Sequence, residues 1–126
     1  MDILSDGKLA FSDDILSMLD FAVAAVHSGF KQTKEVLTKR LIKAMQNKFI
    51  HCIVHPTGRL MGVRDAYEID FEEIYKAARD TNTAIEINAY PERMDLTDVN
   101  CHRAKEAGVK LAISTDAHTK DQLDNI

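Results

Sequence analysis

The sequence predicts an α/β fold with a parallel β-sheet. Short apolar runs alternate along the chain with longer segments in which apolar residues recur at helical spacing. Such alternation of strands and helices is typical of parallel sheets with right-handed crossovers. The run from Phe21 to Val26 is apolar throughout, which is the pattern of a strand buried on both faces. The 126 residues are therefore expected to form one structural unit of about five βα units.

Each predicted strand is a short apolar run that stops at polar or turn-forming residues. The first ends at the turn signal Asp6-Gly7, and the third ends at His55-Pro56. The last ends at Thr115-Asp116, before a polar segment. The predicted strands cover residues 2–4, 21–26, 52–54, 84–89 and 110–114.

Capping residues and apolar stripes define the predicted helices. Ser12 opens the first helix, and Gly108 stops the fourth. The second is the clearest, because its apolar residues share one face while its charged residues lie mostly on the remainder. The helices cover a short segment after Ser12, residues 32–47, 70–80 and 95–106, and a segment that begins at Lys120.

Composition and charge exclude several classes of protein. The net charge of -4 provides no basic excess of the kind that binds nucleic-acid backbones tightly. No apolar run approaches the length of a membrane span. Cys52 and Cys101 lie far apart in different predicted elements, which favours a reducing cytoplasm over a disulfide framework.

A carboxylate and an imidazole follow the last predicted strand. Asp116 and His118 are two residues apart, so in an extended segment their side chains point to the same side. Oxygen and imidazole nitrogen together suit Zn²⁺, Mn²⁺ or Fe²⁺. The alternative is a polar turn that caps the last helix, with Asp116 or Thr119 as its N-cap.

Two more histidines follow predicted strands. His27 comes after the run that ends at Val26, and His55 comes after the run that ends at Val54. Strands of a parallel sheet end at one edge, where functional groups collect, so both histidines should approach Asp116 and His118. A single histidine at a strand end is more often an ordinary hydrogen-bonded loop residue, so the prediction depends on the coincidence of several.

Four further polar residues lie near these positions. Glu86 and Asn88 share one face of their strand. Glu86 either orients a ligand histidine or is a buried carboxylate paired with a Lys or Arg. Arg59 and Arg93 could bind a phosphate at the same edge, but Arg93 is better explained as a surface residue without a role, and the functional interpretation is favoured only for Arg59.

Four blocks of the sequence resemble the polymerase-and-histidinol-phosphatase (PHP) family. They are Val26-His27-Ser28-Gly29-Phe30, His55-Pro56-Thr57-Gly58-Arg59-Leu60, Glu86-Ile87-Asn88-Ala89 and Thr115-Asp116-Ala117-His118. The resemblance extends over essentially the whole chain. It is strongest to the PHP domain at the C-terminus of bacterial family X DNA polymerases.

The resemblance implies a distorted (β/α)7 barrel with three metal ions at the C-terminal ends of its strands. It also implies a metal-dependent phosphoesterase, and beside a DNA-repair polymerase a Mn²⁺-dependent 3′–5′ exonuclease that processes DNA 3′ ends. Position by position, His27 and His55 match ligands of one metal, Asp116 a ligand of a second, and His118 a ligand of the third. Arg59 is the candidate catalytic residue that stabilises charge on the phosphoryl group.

The sequence departs from the family at its beginning. It lacks the family's first block, a His-x-His, together with a further Asp, a further His and the bridging Glu. The 126 residues are therefore expected to be the C-terminal part of one PHP domain, truncated roughly two strands into the barrel. We expect weak metal binding, little or no catalysis, and self-association over the exposed sheet edge.

Two other classes of function remain open at this point. The chain could be a non-catalytic accessory module of a DNA polymerase. It could also be a metallohydrolase of the amidohydrolase type, which places His and Asp at the same barrel positions. That class commonly uses a metal-bridging carboxylated Lys, and no Lys follows a predicted strand here.

Overall fold

The computed structural model describes residues 1–126 as one four-stranded parallel sheet with helices between its strands. The strands pair in sequence order, β1-β2-β3-β4. They are β1 (Val23–Ala24), β2 (Cys52–Ile53), β3 (Ala84–Asn88) and β4 (Leu111–Ser114). The helices are α1 (Asp13–Leu16), α2 (Lys34–Met45), α3 (Phe71–Thr81), α4 (Asp98–Glu106) and a 3-10 helix (Lys120–Asn125). The predicted α/β class and parallel strands are therefore confirmed.

The helices begin where short polar side chains satisfy free backbone N–H groups. The Thr33 side chain accepts from the N–H of Val36 at the start of α2. Asp70 accepts from two N–H groups at the start of α3. Thr97 caps α4, which therefore begins three residues later than predicted, at Asp98. The predicted starts of α2, α3 and α4 lie one to three residues too early because periodicity alone does not show which residue is the cap.

The core lies on one face of the sheet. The strand register aligns Ala24, Ile53 and Ile85, and all three are fully buried against the helices. Leu37 and Leu41 of α2 belong to the same apolar cluster, as do residues of α3 and α4. Right-handed crossovers between strands in sequential order place the helices on one side of the sheet.

The other face of the sheet is open, which corrects the prediction for Phe21 to Val26. That run was expected to be buried on both faces, but only two of its residues form β1, and Phe21 is 60% exposed. No helix covers this face, and its strands line an open cleft of about 300 Å³. The cleft is lined by Phe21, Val23, Cys52, Val54, Glu86, Ala112, Ile113, Ser114 and Asp116.

The first predicted strand is reduced to isolated contacts, so the sheet has four strands rather than five. Asp2 forms a parallel bridge with Ala25, and the N–H of Ile3 donates to the Ala25 carbonyl at 2.8 Å. This pairing places the N-terminal segment beside β1.

No helix combines the length and apolar character required to cross a bilayer. Cys52 and Cys101 are both free thiols.

Candidate functional site

His27 and His55 meet at the edge of the sheet where β1 and β2 end. Their ring centroids are 5.1 Å apart. The parallel pairing of Val23 with Cys52 sets β1 and β2 side by side, so the residues that follow them emerge next to each other. Two histidines that are distant in sequence are thereby brought into contact. We call this edge the carboxyl edge.

His55 is held in an unusual environment. It is 4% exposed, its φ of 34° lies in the left-handed region, and its Nδ1 is buried without a hydrogen-bond partner. Burial lowers the pKa of its imidazole to about 4, with a further contribution from the positive charge of Arg93. The imidazole is therefore neutral at pH 7. A strained backbone and an unpaired buried nitrogen are features that cluster at functional sites.

Asp2 orients the imidazole of His27. The Nδ1 of His27 lies 2.6 Å from Oδ1 of Asp2, and both side chains are about half exposed. This contact leaves Nε2 as the nitrogen available to a ligand. Carboxylates bonded to the second nitrogen of a metal-binding histidine fix its tautomer and orientation. Residue spacing does not reveal this role of Asp2, because the role depends on the bridge between Asp2 and Ala25.

Asp116 lies beside the histidine pair and is bound by Arg93. Its Oδ2 accepts a hydrogen bond of 2.7 Å from Nε of Arg93. The charges of Arg93 and Asp116 act on the pKa of His55 in opposite directions, so both lie within electrostatic range of that imidazole. Asp116 also has a positive φ of 51°. Arg93 is therefore a partly buried, paired arginine rather than the surface residue that the sequence favoured.

His118 points elsewhere. Its ring Nδ1 lies 2.7 Å from the backbone oxygen of Asp116, and its side chain is exposed. It makes neither a ring contact nor a hydrogen bond with His27 or His55. The structure therefore brings His27 and His55 into contact and leaves the His118 imidazole outside the pair. Asp116 acts on His55 through its charge, but it does not complete a group of three side chains able to hold a metal ion.

Arg59 binds the neighbouring loop. Its Nε donates to the Arg93 carbonyl at 2.8 Å, and its Nη2 donates to the Met94 carbonyl. In return, Nη1 of Arg93 donates to the Arg59 carbonyl at 3.3 Å. The two arginines thus join the loop after β2 to the loop after β3.

Glu86 is a buried carboxylate without a cationic partner. It is 2% exposed, and Oε2 accepts from the N–H of His55 at 2.5 Å. The amide of Asn88 and the hydroxyl of Ser114 also donate to this carboxylate. Burial raises the pKa of Glu86, and these three hydrogen bonds oppose the rise. The expected alternative of an ion pair with Lys or Arg is wrong, since no ion pair of the chain includes Glu86.

Comparison with known proteins supports the resemblance that the sequence blocks indicate. No protein-family model matches the chain. Over 126 residues it is 48% identical to the DNA polymerase/3′-5′ exonuclease PolX of Bacillus subtilis, covering all of this chain and 22% of that protein. It is 37% identical to a probable phosphatase of Caldicellulosiruptor bescii, covering 94% of this chain and 50% of the relative. A probable phosphatase of Thermoanaerobacter sp. (strain X514) is 32% identical, with coverages of 90% and 47%.

These relatives are consistent with the resemblance of the chain to the PHP domain of family X polymerases. The chain spans less than a quarter of the polymerase and about half of each phosphatase that it matches. The similarity to PolX covers all 126 residues, so every block that carries the resemblance lies inside the aligned region.

The chain offers two imidazoles that fit a divalent metal. His55 is neutral and has a buried, unpaired Nδ1, and His27 is oriented by the Asp2 carboxylate. Neutral imidazole is the form that binds Zn²⁺ or Mn²⁺. No group of three or more His, Cys, Asp or Glu side chains is positioned to hold a metal ion. The chemistry of the pair fits a metal, while the number of ligands falls short of the usual four.

Proposed function

We propose that this chain forms part of a metal-dependent phosphoesterase domain. The single observation that carries the proposal is the contact of His27 with His55 at the carboxyl edge, beside the ion pair of Arg93 and Asp116. Imidazole, carboxylate and guanidinium groups at one edge are the set that phosphate-ester hydrolysis requires. The sequential parallel strands, with helices on one face only, are consistent with part of a (β/α) barrel.

His27, His55 and Asp116 are the proposed ligands, and His118 would join them after its side chain turns inward. A bound Mn²⁺, Zn²⁺ or Fe²⁺ would supply an activated water at neutral pH and charge stabilisation at phosphate. Asp2 keeps His27 in the tautomer that presents Nε2 to a ligand. Asp116 retains Oδ1 for a ligand while Oδ2 contacts Arg93.

Arg93 and Arg59 are the proposed phosphate-binding residues. Arg59 uses its Nε and one N–H of Nη2 on backbone carbonyls, which leaves three of the five guanidinium N–H groups for a ligand. Its bonds to the loop of Arg93 also hold that side chain beside Asp116. The proposed role of Arg59 in catalysis therefore combines charge stabilisation with support of Arg93.

The relatives indicate the substrate class. One is named as a 3′-5′ exonuclease and others as probable phosphatases, so we infer a phosphate ester, with a DNA 3′ end as one form of it. Two imidazoles and one carboxylate bind a metal weakly without further ligands. We therefore expect the 126 residues alone to have low activity.

A non-catalytic module of a polymerase is the second candidate. It is favoured by one observation, namely that no three metal-competent side chains converge. In that case the carboxyl edge would be a structural remnant. Its histidine pair would then bind no metal at physiological concentrations.

Metal titration and hydrolysis assays distinguish the candidates. Calorimetric titration of the chain with Mn²⁺ and Zn²⁺ should show binding that is lost in His55→Ala and retained in His102→Ala, an exposed histidine of α4. Hydrolysis of bis(p-nitrophenyl) phosphate should be slow, Mn²⁺-dependent and abolished by chelator. Fast turnover that His55→Ala abolishes would contradict the expected low activity. Absence of metal binding in the unmodified chain would favour the non-catalytic module.

A further inference from the structure

Glu86 occupies a position in the sheet that an apolar side chain would ordinarily fill. It lies within β3, and its neighbour Ile85 is fully buried in the core. A buried carboxylate is costly unless polar partners surround it. Here the partners are three hydrogen-bond donors and no cation. The residue therefore requires an explanation beyond packing.

The three donors come from the ends of three adjacent strands. His55 follows β2, Asn88 is the last residue of β3, and Ser114 is the last residue of β4. The N–H of His55 and the amide of Asn88 share Oε2, at 2.5 and 3.0 Å. The Ser114 hydroxyl donates to Oε1. One carboxylate thus joins the carboxyl ends of β2, β3 and β4.

The bond to His55 accounts for the unusual backbone of that residue. At a φ of 34°, His55 has left the extended conformation, so its N–H is removed from the sheet ladder. A buried N–H without a partner would be destabilising. Glu86 Oε2 supplies the acceptor at that point and stabilises the left-handed conformation. This conformation directs the His55 side chain towards His27.

The hydrogen bond from Ser114 to Glu86 lies close to Asp116 in the sequence. Ser114 precedes Asp116 by two residues, and β4 has no further strand beyond it in the sheet order. β4 pairs with β3 on one side only, and Ser114 is the last residue of β4 that pairs with β3. Fixing the Ser114 side chain therefore fixes the start of the segment that carries Asp116.

We propose that Glu86 is a positioning residue that sets the spacing between His55 and Asp116, and that it acts as a hydrogen-bond acceptor rather than as a charge. The proposal rests on the phosphoesterase site described above, because it assigns Glu86 a role in arranging two of its ligands. Glutamine can reproduce the same contacts. Its carbonyl oxygen can accept from His55 and Asn88, and its amide can donate to the Ser114 oxygen.

The test compares four variants of the full chain. Glu86→Gln keeps the acceptor, Glu86→Ala removes it, and Ser114→Ala removes only the contact to β4. Thr38→Ala is the matched control, because Thr38 is a buried residue of α2 that accepts from the N–H of Asp70, far from the site in sequence. Each variant is titrated with Mn²⁺, and amide hydrogen exchange and the imidazole Hε1 resonances are recorded by NMR without metal.

Glu86→Ala should weaken Mn²⁺ binding about 10- to 100-fold and accelerate exchange of the His55 amide. Glu86→Gln should restore Mn²⁺ affinity to within about threefold of the unmodified chain. Ser114→Ala should shift the Asp116 resonances and leave the His55 amide protected. Thr38→Ala should lower the thermal midpoint without changing Mn²⁺ affinity.

Two results would overturn the proposal. The positioning role fails if Glu86→Ala retains both the Mn²⁺ affinity and the slow His55 amide exchange. The acceptor assignment fails if Glu86→Gln behaves like Glu86→Ala. If the unmodified chain binds no Mn²⁺, the phosphoesterase proposal fails, while the NMR comparison still decides whether Glu86 holds His55. If Glu86→Ala does not fold, Ser114→Ala decides the positioning role, because unchanged Asp116 resonances in that variant would overturn it.

Discussion

Arg93 Nε and Asp116 Oδ2 lie 2.7 Å apart and join the loop after β3 to the loop after β4. Their side chains are 16% and 21% exposed, so solvent screens this pair less than it screens the other ion pairs of the chain. The same guanidinium also bonds to the carbonyl of Arg59. The contact therefore connects a candidate phosphate-binding residue with a candidate metal ligand.

Replacing Arg93 should weaken phosphate binding and loosen Asp116. Arg93→Met removes the cation and leaves the partly buried carboxylate unpaired, so we expect a loss of about 1–3 kcal/mol in unfolding free energy. Inorganic phosphate affinity, measured by titration with Mn²⁺ present, should fall about tenfold or more. Arg79→Met, at an exposed arginine of α3, should change neither quantity appreciably. Unchanged phosphate affinity in Arg93→Met would contradict the assignment.

Removing the carboxylate charge at Asp2 should weaken metal binding without unfolding the chain. Asp2→Asn keeps the shape of the side chain but loses the charged acceptor for His27 Nδ1. We expect Mn²⁺ affinity to fall about tenfold, because such outer carboxylates orient ligand histidines. Asp20→Asn, at an exposed acid without an ion pair, is the control for the loss of one negative charge. Equal affinities in the two variants would show that Asp2 has no orienting role.

The turn after His55 should tolerate no side chain at Gly58. A Cβ there would lie 2.6 Å from Cε1 of Tyr67, and the φ of 62° is unfavourable for other residues. We expect Gly58→Ala to cost more than about 2 kcal/mol in urea-induced unfolding. Gly62→Ala shares a positive φ of 77° but meets no atom within 4 Å, so it should cost only about 1 kcal/mol. Similar losses in both variants would show that contact with Tyr67 is unimportant.

Acidification should destabilise the metal-free chain through His55. Its pKa falls from 6.5 to about 4 on folding, so the folded state binds fewer protons than the unfolded state between these values. Protonation of His55 in the unfolded state therefore lowers the free energy of unfolding as the pH falls from 6.5 to about 4. The loss over this whole range is about 3 kcal/mol. Burial raises the pKa of Glu86 and Asp95, which acts in the opposite direction on acidification.

Comparison of the unmodified chain with His55→Gln isolates the contribution of His55 to the pH dependence of stability. Urea unfolding with chelator at several pH values should show a smaller decline for His55→Gln than for the unmodified chain. The difference between the two curves should grow as pH falls from 6.5 to about 4. Parallel curves would mean that His55 is not buried in its neutral form.

The open face of the sheet should promote self-association. Phe21 is 60% exposed and Ile113 is equally exposed, and both line the open cleft. Apolar surface and an unpaired strand edge favour contact with a second copy of the chain. Sedimentation velocity should show a concentration-dependent dimer that Phe21→Glu weakens and Met18→Glu, at an exposed residue after α1, does not. A monomer at all concentrations would contradict this proposal.

Local pattern was sufficient to locate the helices and four of the five predicted strands, but not all of their bounds, and the predicted strand at residues 2–4 forms only isolated bridges. Apolar spacing located α2 and α3, and the capping side chains Thr33 and Asp70 explain where they begin. The prediction for Phe21 to Val26 was wrong because an apolar run reveals burial but not which partner provides it. The helices of this chain cover only one face, so Phe21 remains exposed.

The candidate site was predictable only in part. Histidines at the ends of parallel strands must emerge at one edge, and His27 and His55 are indeed in contact there. The role of Asp2 depends on a bridge to Ala25, and the contacts of Arg59 depend on the path of the loop after β3. Neither relation leaves a signal in residue spacing.

The sequence by itself determined the α/β class, the parallel strands and the carboxyl edge at which His27 and His55 meet, because alternation and periodicity are properties of neighbouring residues. Only the tertiary structure decided that Glu86 binds the backbone of His55, that Arg93 pairs with Asp116, and that the His118 imidazole points outward. Hydrogen bonds and ion pairs act over about 3 Å. The register of distant strands and the paths of the loops determine which side chains approach each other that closely. The chain adopts this register and these loop paths only when its core is packed.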